Sequence, residues 1–198
     1  MRHPNRGRPA VVSRLCIDGD DMRTTAFLAA LAAAAAGTAV ADYRVDMNAI
    51  DVKGVGAPVG TVVISEDAGG VRFAPDLHGL PPGTHGFHVH EFPNCAAREK
   101  DGKVVAGELA GNHWDPDHHG RHAAPGQGGH RGDLPPLKVG ADGRAHDAVV
   151  VKGLELSQLR SKSLVVHAGG DNGSDQPKPN GGGGDRIACG VIQAGEKP

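Results

Sequence analysis

The fold is decided by His85-Gly86-Phe87-His88-Val89-His90. The hexapeptide reads as a β-strand whose inner face carries two metal ligands. Side chains in a strand alternate between faces, so His88 and His90 point the same way. Their Cα atoms lie roughly 7 Å apart, which lets both imidazoles reach one ion. His85 is an odd number of residues from each, faces the other side, and is not counted as a ligand. Alone, a His-x-His pair fits a polar strand face equally well. The rest of the chain has to decide.

Aromatic residues make up 3% of the 198-residue chain, against 31 glycines and 14 prolines. That balance predicts a turn-rich, β-dominated single domain packed with small residues. The formal net charge of −2 gives no sign of nucleic-acid binding. Eleven of the 12 histidines fall between positions 78 and 167.

The first 41 residues read as processing signals. Met22-Arg23-Thr24-Thr25 precedes an apolar run from Ala26 to Ala36, and Ala39-Val40-Ala41 follows. A short basic start, an apolar stretch and an Ala-x-Ala site make a secretory signal peptide. The run is short for a membrane anchor. Residues 1–41 are therefore expected to be removed, leaving one domain over 42–198 and a periplasmic protein. Cleavage takes away five Lys/Arg and three Asp/Glu, which moves the formal charge from −2 to −4. It also removes Cys16 and leaves Cys95 and Cys189, an even pair that favours a disulfide in an oxidising compartment.

From Tyr43 the pattern alternates. Val45, Met47, Ala49 and Asp51 form one face; Asp46, Asn48 and Ile50 form the other. Gly54–Gly56 interrupts it. Val59–Ile64 and Val71–Phe73 form further runs around a Gly69-Gly70 turn, and Leu80-Pro81-Pro82-Gly83 turns the chain into the histidine strand. This predicts an antiparallel meander. Leu134–Val139 and Ala148–Val151 are expected to pair across an Asp142-Gly143 hairpin turn. Leu154–Arg160 reads as a short helical connection. Leu164–His167 and Arg186–Ile192 are the last strands, separated by a Gly-rich loop that lacks any dinucleotide or phosphate-loop fingerprint.

Glu91 to Pro136 shows little alternation and much Gly, Pro, Asp and His. A loop this long in a compact domain is functional or disordered. It holds His113, His122, His130 and Asp133, enough to close a tetrahedral site suited to Zn²⁺. A bound metal would keep the loop ordered without an apolar core. His118 and His119 fit a solvated surface.

Five stretches, in order, resemble the secreted bacterial type of copper/zinc superoxide dismutase. They are Gly86–His90, Gly111-Asn112-His113-Trp114-Asp115-Pro116, Gly129–Pro135, Val166–Asn172 and Arg186–Ile192. The resemblance implies an all-β, Greek-key sandwich or barrel of about eight antiparallel strands with long metal-binding and Gly-rich loops. It implies copper on His88, His90, His113 and His167, and zinc on His113, His122, His130 and Asp133. His113 would bridge the two ions. Asp171 would link His88 to His122, and a Cys95–Cys189 disulfide would pin the loop after the histidine strand to the last strand. The implied reaction is disproportionation of superoxide, with His113 supplying a proton and Arg186 holding the anion.

The chain departs from the eukaryotic members, whose loop before the arginine strand is charged. Here it is mostly Gly, Pro and Asn, with Asp185 beside Arg186. The resemblance assigns anion guidance to Lys100 and Lys103 instead; ordinary surface solvation is the competing reading. Trp114, the single tryptophan, either packs under the zinc loop or anchors a homodimer. A copper-delivery protein would tend to lose copper ligands, and this chain keeps four. A structural sandwich binding zinc alone would need neither Arg186 nor His167.

Overall fold

The computed structural model describes residues 42–194. The signal-peptide reading of residues 1–41 lies outside them. Eleven strands follow in order: β1 (Tyr43–Asp51), β2 (Gly54–Asp67), β3 (Gly70–Leu77), β4 (Gly83–His85), β5 (Phe87–His90), β6 (Arg98–Lys100), β7 (Lys103–Val105), β8 (Leu137–Val139), β9 (Val149–Lys152), β10 (Lys162–His167) and β11 (Arg186–Ala194). Seven make one curled antiparallel sheet in the order β5-β10-β11-β1-β2-β3-β9. The last strand thus lies beside the first, and the expected all-β architecture is present. Among the described residues no helix is long and apolar enough to cross a membrane.

The concave face carries the core. Val45 and Met47 of β1, Val62 and Ile64 of β2, Phe73 of β3, Leu164 and Val166 of β10 and Ile192 of β11 are buried together. Phe87 and Val89 of β5 join them, and Phe87 meets Phe73 edge to face at 6.2 Å. His88 and His90 therefore stand on the outer face, not the inner one. They are nonetheless fully buried, because the long loops cover that face. The period of two holds along the strand. Which face is the inside follows from Phe87 and Val89 being the better core residues.

The hexapeptide is also two strands. It breaks at Gly86, where β4 pairs with β8 and β5 pairs with β10. Gly86 exchanges backbone hydrogen bonds outside both ladders, donating to Gly169 O and accepting from His167 N, each at 2.8 Å. A Cβ there would lie 2.9 Å from the His88 ring.

Other expectations change in detail. β2 starts at Gly54 and runs straight through the glycine interruption, with a register shift opposite Asn48 absorbing the irregularity. The Asp142-Gly143 turn exists, but its two arms belong to different sheets: β8 pairs with β4, whereas β9 pairs with β3. Leu154–Arg160 contains a 3₁₀ turn at Leu156–Leu159. The segment from Glu91 to Pro136 holds a small hairpin, β6–β7, and a 3₁₀ turn at Glu108–Ala110.

That segment closes a second, smaller core outside the sheet, formed by Ile50, Cys95, Ala110, Val165 and Cys189. Ile50 is buried although it lies on the face that alternation assigned to polar residues, since the loop packs over it. Asp51, placed with the apolar face, is exposed. Cys95 and Cys189 are bonded, with Cα atoms 5.7 Å apart and a separation of 94 in sequence. Closing so long a loop removes denatured-state entropy equivalent to about 4–5 kcal/mol in the chain-entropy model, an upper figure. Reduction should therefore lower the unfolding free energy of the metal-free protein by an amount approaching this, read as a fall in its urea midpoint. A midpoint unchanged by reductant, with both thiols then alkylated, would contradict it.

Candidate metal centre

The centre grows from the free edge of β5. One edge of that strand pairs with β10; the other is met by two pieces of the long loop. Trp114 N donates to Val89 O, and Val89 N donates to Gly132 O, both at 2.9 Å. Gly132 is required there, because a Cβ would lie 2.2 Å from Val89 O. The pairing places His113 opposite His90 and Asp133 opposite His88. Opposed residues in an antiparallel pair share a face, so the loop delivers its ligands to the same outer surface. His167 arrives from the end of β10, past the irregularity hooked by Gly86.

Two groups of ligand atoms result, each with its members within 4.8 Å of one another: His88, His90, His113 and His167, and His88, His113, His122 and Asp133. In the first, the outward ring nitrogens are fixed. His90 Nδ1 donates to Gly111 O at 3.0 Å, His167 Nδ1 donates to Gly184 O at 3.2 Å, and His88 Nε2 donates to Asp171 Oδ2 at 2.7 Å. In the neutral imidazole, spending the one N–H on that bond leaves a lone pair on the other nitrogen. His90 Nε2 and His167 Nε2 then face each other at 3.3 Å, and His88 Nδ1 and His113 Nε2 have no partner. Lone pairs converging in a buried pocket fit a cation and little else.

In the second group the Nδ1 atoms of His113, His122 and His130 converge on one oxygen, Asp133 Oδ1, at 2.8, 2.9 and 3.3 Å. His130 is not among the atoms that lie within 4.8 Å of one another, and its Nδ1 is the farthest of the three from Asp133 Oδ1. Asp133 Oδ2 accepts from Ala123 N. His113 directs Nδ1 to this group and Nε2 to the first, so it can serve two ions. His88 cannot, since its Nε2 is held by Asp171. That carboxylate spans the groups, accepting from His88 on one oxygen and from His122 Nε2 on the other at 2.7 Å.

Electrostatics separate the groups. Desolvation pushes His88, His90 and His167 down, and pushes His113 to about 4 with help from neighbouring His88. These rings are neutral at pH 7, ready as ligands. His122 goes the other way, to about 9: burial opposes its charge, but the Asp133 carboxylate close to Nδ1 and the hydrogen bond from Nε2 to Asp171 outweigh burial. Burial likewise opposes ionisation of Asp133, yet bonds from His113, His122 and His130 hold it well below the usual carboxylate range.

Arg186 lines the same pocket as His90, His113 and His167. Its guanidinium donates from Nη1 to Gly107 O and from Nη2 to Gly111 O, the latter at 2.7 Å. Lys100 and Lys103 do not line this pocket. Lys100 is drawn aside by Glu108, a buried carboxylate 2.9 Å from its Nζ, while Lys103 is exposed on β7. Glu108 escaped the sequence reading, although an acid inside the small-residue run Ala106–Ala110 is a usable signal. Asp175 escaped too: it accepts from His122 N at 2.8 Å and Asn180 N at 3.0 Å, tying the two loops together. His118 reaches the pocket rim and His119 sits 3.6 Å from Asp115; both are exposed and outside the ligand groups. His85 is buried instead against Pro81 O and His167 O. Trp114 is half-buried against the main core with Lys162 Nζ 5.4 Å from its ring centroid.

Fold and centre together define an antiparallel β-barrel protein built to hold two metal ions side by side. The family model for copper/zinc superoxide dismutase matches residues 59–192. The Cu-Zn superoxide dismutase of Escherichia coli K12 is 51% identical over 160 residues, 80% of this chain and 92% of that protein. The Brucella abortus enzyme is 53% identical over 141 residues, covering 71% and 82%. The solved Brucella abortus Cu/Zn superoxide dismutase superposes with a TM-score of 0.76 at 50% identity, covering 77% of this chain and 99% of that one. The monomeric copper, zinc superoxide dismutase of Salmonella enterica gives 0.69 at 51%, covering 77% and 100%. The chain belongs to the copper/zinc superoxide dismutase family.

The raised His122 sets a pH dependence. Below about pH 9 its ring is cationic in the metal-free protein, and a ligand must be neutral, so metal entry expels that proton. Zn²⁺ affinity should rise as pH increases toward 9, and binding at pH 7 should release protons. Calorimetry in buffers of different ionisation enthalpy would show it. Uptake at pH 7 without proton release would contradict the assignment.

Proposed function

We propose that the protein disproportionates superoxide, converting two superoxide anions and two protons into O₂ and hydrogen peroxide in the cell envelope. The observation that carries this reading is the pair of unpartnered buried nitrogens, His88 Nδ1 and His113 Nε2, beside a pocket that His90, His113 and His167 share with Arg186. His88, His90, His113 and His167 would hold copper; His113, His122, His130 and Asp133 would hold zinc. Copper supplies the one-electron exchange by alternating between Cu²⁺ and Cu⁺, while zinc, which has no redox change, fixes the ligands.

The chain's own residues do the rest. Asp171 holds the His88 and His122 rings in one orientation, which keeps both ligand sets in register. His113 is the proton carrier. Its Nε2 has no protein partner, so whenever that nitrogen is not occupied as a copper ligand it can take a proton and pass it to the bound anion. Arg186 has two of its five N–H groups tied to carbonyl oxygens, which aims the others at the pocket.

Export rests on the sequence of residues 22–41, and the domain proper on 42–198. A monomer accounts best for Trp114, which is absent from the exposed large apolar side chains among the described residues. Trp114→Ala should thus lose core packing yet leave the gel-filtration volume unchanged. A shift to a later volume would restore the dimer-anchor reading.

The activity test is superoxide decay with the fully metallated protein. Arg186→Ala should keep both metals, because Arg186 is no ligand, but lose roughly ten-fold or more in rate as the anion's anchor goes. Its remaining rate should depend less on salt. Arg186→Lys should fall between, and His113→Ala should disturb both metals. A fully active Arg186→Ala with both metals bound would remove Arg186 from the mechanism.

A further inference from the structure

Glu108 is an acid where none is expected. It lies in the 3₁₀ turn Glu108–Ala110, between the two carbonyls that anchor Arg186, and its side chain is only 9% exposed. Oε2 stands 4.0 Å from Arg186 Nη2. Oε1 accepts from Lys100 Nζ at 2.9 Å and faces Arg98 Nη2 at 3.9 Å. A buried carboxylate needs countercharge, and three cations supply it. Only Arg186 also lines the copper pocket. The carboxylate thus faces the substrate-side arginine on one oxygen and the β6 cations on the other. Desolvation lowers the Arg186 pKa, and the carboxylate partly restores it.

We propose that Glu108 sets the pull of Arg186 on anions: its charge attenuates the field of the guanidinium, and Lys100, by partly neutralising Glu108, limits that attenuation. Lys100 then influences anion capture through Glu108 and not as a free guide on the path to copper. The inference rests on the superoxide dismutase reading for its rate arm only, since the anion-affinity arm needs no turnover. An anion held beyond the guanidinium lies roughly 7–8 Å from Glu108, where one unit charge in water is worth about a two-fold change in occupancy.

The test uses disulfide-intact protein loaded with both metals. Glu108→Gln keeps the shape and an acceptor for Lys100 while removing the charge. At low ionic strength it should react with superoxide about two-fold faster than wild type and bind azide about two-fold tighter. The gain should vanish at high salt, where screening shortens to a few ångströms. Lys100→Met should do the reverse, losing about two-fold in both readouts. Metal content and disulfide should stay as in wild type, which a general loosening of the loop would not allow. Azide affinity that fails to rise in Glu108→Gln, or to fall in Lys100→Met, would overturn the proposal. An inactive wild type would overturn the superoxide reading instead, and the azide arm would still decide this one.

Discussion

The structure depends on the clasp between the long loop and the free edge of β5. An edge strand of four residues offers too few ladder bonds to hold a loop of this length by itself. The loop supplies the missing partner, through Trp114 N to Val89 O and Val89 N to Gly132 O. This satisfies buried backbone groups that would otherwise cost free energy. It also brings His113 and Asp133 beside His90 and His88. Core, edge protection and ligand geometry thus share one set of hydrogen bonds. β5 buries Phe87 and Val89 on one face and two ligands on the other, which leaves it no solvent-facing side.

The protein alone leaves the centre frustrated. Nitrogens of four buried histidines converge, and two of them, His88 Nδ1 and His113 Nε2, find no partner. Such an arrangement opposes folding unless something positive fills it. The ring nitrogens turned away from the centre are tied to Gly111 O, Gly184 O and Asp171, so the rings cannot swing out to find other partners. Binding free energy for the metals is thereby stored as preorganisation of the ligands. Asp133 carries the opposite sign of the same constraint, an ionised carboxylate stabilised by the imidazoles around it.

The arginine and the disulfide belong to one unit. Cys95 ties the loop to β11 through Cys189, three residues beyond Arg186, and the same loop presents Gly107 O and Gly111 O to the guanidinium. Losing the bond would free the frame that aims Arg186 as well as the small outer core. Asp175 plays a comparable part on the far side, holding the backbone of a ligand loop to the wall bearing Asn180. The substrate pocket is therefore walled by loops that are individually irregular but jointly tied.

The sequence by itself determined the period-two strands, the placement of His88 with His90 on one face, the family and the two cysteines. These are legible because each is local, or because the motifs fall in an order that admits one family. It could not say which face of the histidine strand is inside, since alternation is symmetric until packing chooses Phe87 and Val89 for the core. Nor could it show that the arms of the Asp142-Gly143 turn pair with β4 and β3, because a turn fixes the chain's reversal and not its neighbours. The lysines show the same limit. Lys100 looks free in sequence, and only the fold brings a buried Glu108 to it. Charge in a chain is countable, but the direction of its field depends on which opposite charge the tertiary structure sets beside it.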